Sequence, residues 1–172
     1  EKVHTIRRPR PDDYQIKQAV EIIKKSKNPI IISGGGVFYS DAMKELSEFA
    51  KKHNIPTAQT VMGYSTMKKD DPYFLGAIGG FGGKATNNFM KKTDLAIAVG
   101  TKLADFTTGS WSNFENPNFK LVSINVSRFD ANKHMAESVV GDAKVSLLDI
   151  SNALGNWKAP DDWYKKSREA LN

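Results

Sequence analysis

Pro29-Ile30-Ile31-Ile32-Ser33, followed directly by Gly34-Gly35-Gly36, is the stretch that decides the fold. Three successive isoleucines are too short a run for a helix and too uniformly apolar for a strand with one wet face. They predict a strand buried on both sides. A glycine loop comes next, and then Met43, Leu46, Phe49 and Ala50 recur at helical spacing as far as Lys52, with Ser40 and Asp41 as N-caps. Strand, glycine loop and helix in that order open a βαβ unit.

Upstream, Ile16, Val20 and Ile23 mark a helix that begins at Asp12 or Asp13 and ends near Lys27-Asn28-Pro29. Before it, Arg7-Arg8-Pro9-Arg10-Pro11 contains two prolines and reads as extended chain, so residues 1–11 are taken as a linker from a preceding domain. Downstream, residues 55–60 form a short second strand. A loop opens at Asp71-Pro72 and runs across residues 75–83, and residues 84–92 form a helix. Residues 94–100 are the clearest buried strand, residues 120–126 the next and residues 138–140 a short one, after which Asp142 caps a helix to about Leu154. The pattern predicts an α/β domain over residues 12–158: a doubly wound, mainly parallel sheet of about five or six strands, with helices on both faces. Residues 159–172 read as a linker or helix start toward a following domain.

Composition narrows the function classes. The 172 residues are 40% hydrophobic and 26% charged, and no apolar run approaches the roughly 20 residues of a membrane span. No membrane partner is expected. The chain has no cysteine, which excludes disulfides, thiolate metal sites and cysteine nucleophiles, and is compatible with a cytoplasmic setting. The net charge of +6 comes mostly from lysines that alternate with acids on helical stretches, so it describes solvated helix faces and not a nucleic-acid groove. His4, His53 and His134 lack ligand spacing, and no metal site is expected.

Nine of the thirteen glycines fall at residues 34–36, at residues 76–83 and at Gly63. Bare N–H groups near a helix start favour anions, so both loops are candidate phosphate cradles; the other reading is that they permit tight turns between packed layers. A dinucleotide fingerprint is missing, because Tyr39 stands where its third glycine belongs and no acid follows the second strand. There is no P-loop and no Gly-x-Ser-x-Gly elbow. Asp105 follows a buried strand, where the sites of open α/β sheets cluster, and Thr108 and Trp111 lie close after it.

Taken in order, Ile30-Ile31-Ile32-Ser33-Gly34-Gly35-Gly36, Ile55-Pro56-Thr57, Leu75-Gly76, Ala98-Val99-Gly100-Thr101-Lys102, Ile124-Asn125-Val126 and Val140-Gly141-Asp142 resemble the central domain of the thiamine diphosphate-dependent enzymes, the family of acetolactate synthase and pyruvate decarboxylase. Residues 105–111, 76–79 and 129–134 look most like the branch that hydrolyses trihydroxycyclohexane-1,2-dione in myo-inositol catabolism. The resemblance implies a parent of three α/β domains, a homodimer or homotetramer, with thiamine diphosphate and Mg²⁺ held by the first and third domains. It implies a non-catalytic central fragment whose partners are the other domains of the same chain. Gly141-Asp142-Ala143 lacks the final glycine of the family's metal motif. Some relatives hold FAD or ADP in this domain, which makes Gly34, Gly35, Gly36, Gly76, Lys102, Asn125 and Asp142 a candidate vestigial nucleotide site. Lys102 replaces a family arginine and Asn125 a common acid. Asp105, Thr108 and Trp111 are the candidates for shaping a polyhydroxylated ring's pocket.

Overall fold

The computed structural model describes Val3, Thr5 and residues 7–171; the expectations placed on Glu1, Lys2, His4, Ile6 and Asn172 lie outside the described residues. The elements run α1 (Asp13–Lys25), β1 (Pro29–Ser33), α2 (Gly35–Tyr39), α3 (Met43–His53), β2 (Thr57–Gln59), β3 (Phe74–Ala77), α4 (Lys84–Met90), β4 (Leu95–Val99), α5 (Asp105–Thr108), β5 (Lys120–Asn125), α6 (Arg128–Ala131), β6 (Glu137–Val140), α7 (Ala143–Leu154) and α8 (Asp161–Glu169). The strands form one sheet in the order β3-β2-β1-β4-β5-β6, and every pairing is parallel. This is the doubly wound α/β architecture.

Both faces are covered, as a parallel sheet requires. On one face Ile31, Ile97, Val99, Val122, Ile124 and Val139 meet Ala19, Val20 and Ile23 of α1, Leu46 and Phe49 of α3, and Leu147 and Ile150 of α7. On the other, Ile30 and Ile32 lie beside the small side chains Ala58, Ala96 and Ala98, which leave room for Phe89 of α4 and Trp163 of α8.

Two expectations need correcting. Ser40 and Asp41 do not cap α3, whose N-cap is Ala42 with no side-chain bond. The chain instead makes the short helix α2 first, and the buried carboxylate of Asp142 draws the Ser40 hydroxyl away at 2.6 Å. The stretch across residues 75–83 is not all loop, because Phe74–Ala77 is an edge strand, β3. It joins the sheet through Thr57 N–H to the Tyr73 carbonyl (2.8 Å) and Ile78 N–H to the Gln59 carbonyl (3.0 Å). The β2–β3 register shifts between Thr57 and Ala58, where Gly76 adopts φ +102°. That glycine serves a bulge.

The packed body reaches beyond residues 12–158. Pro11 is buried, the Pro9 carbonyl accepts the Asp142 N–H at 2.8 Å, and Arg8 pairs with Asp142 at 3.0 Å. At the other end Trp163 and Ser167 of α8 are buried.

Candidate functional site

The strand order turns around between β1 and β4, and in open α/β sheets the crevice outside the C-terminal ends of the strands at such a point is where ligands bind. A cleft of about 470 Å³ lies there. Gly35, Gly36 and Tyr39 of α2, Val61 and Met62, Gly100 to Lys102, Phe106, Asn125 and Asp130 line it. A second lobe of about 250 Å³ shares Gly36, Tyr39, Gly100 and Asn125 and extends to Arg7, Ser40 and Asp142. Five predicted nucleotide-site residues therefore converge on one crevice: Gly35, Gly36, Lys102, Asn125 and, in the second lobe, Asp142. Gly34 sits just behind it as the N-cap of α2, and Gly76 lines neither lobe.

Most of the polar groups in the crevice already have partners inside the protein. The Gly34 N–H donates to the Val99 carbonyl (2.8 Å) and the Gly36 N–H to the Gly100 carbonyl (2.9 Å), which ties the end of β1 to the end of β4. The Asn125 amide donates to the Thr101 carbonyl (3.2 Å) and accepts the Ser127 N–H (3.0 Å). Asp142 caps α7 by accepting from the Lys144 and Val145 N–H groups, and also accepts from Arg8 and Ser40. Lys102 is exposed and makes no ion pair among the described residues. Across the cleft the Lys133 ammonium holds the Asp130 carboxyl below the usual carboxylate range, and Ser127 and Lys102 act in the same direction.

The second glycine cluster is a packing device. The Asn87 side chain clamps the Gly79 peptide from both sides, accepting its N–H at 3.0 Å and donating to its carbonyl at 3.1 Å. A Cβ on Gly79 would meet the Phe106 carbonyl oxygen at 2.5 Å, and one on Gly80 would meet the Phe106 ring at 2.3 Å. These glycines let the loop after β3 lie directly on α5.

The candidate pocket residues after β4 are not placed alike. Asp105 is exposed and accepts from Ser110 at 3.0 Å. Thr108 is buried, its hydroxyl donating to the Asp105 carbonyl and accepting the Trp111 N–H, both at 3.2 Å. Trp111 packs its ring against His134, with centroids 4.3 Å apart. Ser110, Trp111, His134 and Met135 all have positive φ, so two strained turns meet at this aromatic contact. Met62 and Phe106 are not among the site residues expected from the sequence, and Tyr39 is noted there only as standing in place of a third glycine. All three reach the crevice because α2, the turn at residues 61–63 and α5 each fold in the segment that follows a strand, which an apolar period cannot reveal.

The family description "Thiamine pyrophosphate enzyme, central domain" matches residues 16–150. The chain belongs to the thiamine pyrophosphate enzymes, as their central domain. Among curated relatives it is similar to the 3D-(3,5/4)-trihydroxycyclohexane-1,2-dione hydrolase of Clostridium botulinum, at 45% identity over 91% of this chain and 25% of the relative. It is similar to that of Clostridium perfringens, strain 13, at 44% over 89% and 24%, and to that of Clostridium tetani at 42% over 99% and 27%. The chain thus spans about a quarter of the length of the curated relatives it matches.

The residues of this central domain do not fit the metal–diphosphate centre of the family's cofactor. Asp142, the one acid of its Gly-Asp-Ala stretch, has both carboxylate oxygens engaged in capping and pairing. No group of three or more histidines or acids able to hold a metal occurs among the described residues, and no described helix is long and apolar enough to cross a membrane.

Proposed function

We propose that this central domain is a non-catalytic part of a thiamine diphosphate- and Mg²⁺-dependent enzyme that opens the ring of a trihydroxycyclohexane-1,2-dione by hydrolysing a carbon–carbon bond. The observation that carries the reading is the likeness, at 42–45% identity and across 88–99% of the chain, to relatives bearing that hydrolase's name. The engagement of Asp142 supports assigning the cofactor to other domains of the parent. The parent is read as a cytoplasmic homodimer or homotetramer, with residues 1–11 and 159–172 leading to its other domains. Within it, Asp105 and Trp111 form part of the substrate's pocket wall, and Thr108 holds their loop from beneath. The crevice at the β1–β4 switch is read as a vestigial nucleotide site. Its internally bonded Gly34, Gly36, Asn125 and Asp142 support that reading over a working FAD or ADP site.

Turnover of the dione with thiamine diphosphate and magnesium is the test. The full-length enzyme turns over and residues 1–172 alone do not; turnover by the short chain refutes the proposal. Calorimetric titration of the short chain with ADP and FAD gives no heat if the crevice is vestigial.

A further inference from the structure

We infer that the edge of the sheet where the strands end is a docking face for the domain whose polypeptide leads into Arg7. The inference goes beyond the proposed reaction and does not depend on the substrate. Apart from Val3, Tyr14, Met135, Leu148 and Leu171, every exposed large apolar side chain among the described residues lies on the turns and short helices that follow β1 to β5, and each of those five segments contributes at least one. Tyr39 is 72% exposed, Met62 73%, Phe81 74% and Phe129 76%. From Val126 to Phe81 the rim is continuous: Val126 and Tyr39 line one lobe, Tyr39, Met62 and Phe106 line the cleft beside it, and the Phe81 ring lies 5.0 Å from that of Phe106. Scattered exposed apolar residues are normal, but a contiguous apolar rim on one edge marks an interface.

The path of the chain names the occupant. The relatives are about four times as long as this chain, and the matched family is a central domain, with neighbours in sequence. Arg8 is fastened to Ser40 and Asp142 and Pro9 to Asp142, so the segment arrives beside the rim, where Arg7 lines the crevice with Tyr39 and Val126. The other end leaves elsewhere. Trp163 and Arg168 of α8 bond the carbonyls of Pro29 and Phe74, the first residues of β1 and β3, at the opposite edge. Arg7, Lys102 and Arg128 are exposed at the rim without an ion pair among the described residues, so the docking surface of the preceding domain is apolar with an acidic fringe.

Proximity labelling in the full-length enzyme tests this. A photoreactive benzoylphenylalanine is placed at position 62 or 129, with position 148 on α7 as the control, and crosslinked peptides are mapped by mass spectrometry. Positions 62 and 129 crosslink within one polypeptide to segments preceding residue 7, and position 148 does not. Crosslinks only to segments beyond residue 171, crosslinks between two copies of the chain, or none from either rim position overturn the inference. The readout is contact and not turnover, so a wrong substrate assignment leaves it intact. As a second measurement, Met62→Ser with Phe129→Ser makes proteolysis ahead of Arg7 several-fold faster in the full-length enzyme; an unchanged rate counts against docking.

Discussion

The indole of Trp163 stacks on the ring of Phe89, with centroids 4.2 Å apart and planes 25° apart, and its Nε1 donates to the Pro29 carbonyl at 2.7 Å. One side chain thus pins α8 to α4 and to the first residue of the central strand. Trp163→Ala empties a large buried site and costs about 3–5 kcal/mol. Trp163→Phe keeps the stack, loses the hydrogen bond and costs less. Urea unfolding reads both, as a lower midpoint at an unchanged slope.

That helix also shows where the sequence is hard to read. β1 and β4 are legible because all five residues of each are buried, so Pro29–Ser33 and Leu95–Val99 show as apolar runs. Phe74–Ala77 carries no β-branched residue and bends at Gly76, and only its pairing with β2 makes it a strand. α8 is mostly charged, and its place depends on Trp163 finding the space above Ala96 and Ala98. In the crevice, Gly35 and Lys102 are legible because they follow the two strands at the switch point, and Asn125 because it ends the neighbouring strand β5. The partners of Asn125 and Asp142 are not, because hydrogen bonds to Thr101 and Arg8 depend on three-dimensional neighbours.

Asp142 joins three pieces of chain: the α7 N-terminus, Ser40 after α2, and Arg8 of the N-terminal segment. Asp142→Ala removes a helix cap worth about 1 kcal/mol and charge-assisted bonds worth about 1.5–3 kcal/mol. Asp142→Asn keeps a capping oxygen and loses less. Arg8→Met leaves the cap intact and is the mildest of the three. Thermal unfolding of the three variants checks the order, and an Arg8→Met loss as large as that of Asp142→Ala would contradict it.

His53 is fully buried, with Nδ1 2.8 Å from the Trp157 carbonyl and Nε2 2.9 Å from the Ser151 hydroxyl. These partners assign the neutral tautomer with the proton on Nδ1. Burial holds its pKa below the ordinary 6.5, and the Lys52 and Lys158 charges add to that, while the Trp157 carbonyl opposes it. With the folded value depressed, the unfolded chain takes up the proton first as pH falls. The contribution of His53 to stability is therefore complete above about pH 7 and declines as pH drops through 6.5 toward the lower folded value. Urea midpoints at pH 7.5 and 5.5 show the loss in the native chain, and His53→Gln reduces the difference between the two.

Gly36 and Gly83 come from the two loops whose glycines suggested phosphate cradles, and substitution separates packing from ligand binding. A Cβ on Gly36 would sit 2.6 Å from the Gly100 Cα, backbone against backbone, with no flexible side chain to give way. Gly36→Ala must part the ends of β1 and β4 and costs about 1–3 kcal/mol or more. Gly83 has φ −66°, and a Cβ there meets only the Thr86 hydroxyl, at 4.0 Å. Gly83→Ala loses a little as an N-cap and gains a little from a stiffer unfolded chain, so its stability stays within about 0.5 kcal/mol of wild type. A Gly36→Ala variant as stable as Gly83→Ala would mean that the contact between the strand ends is not what requires the glycine.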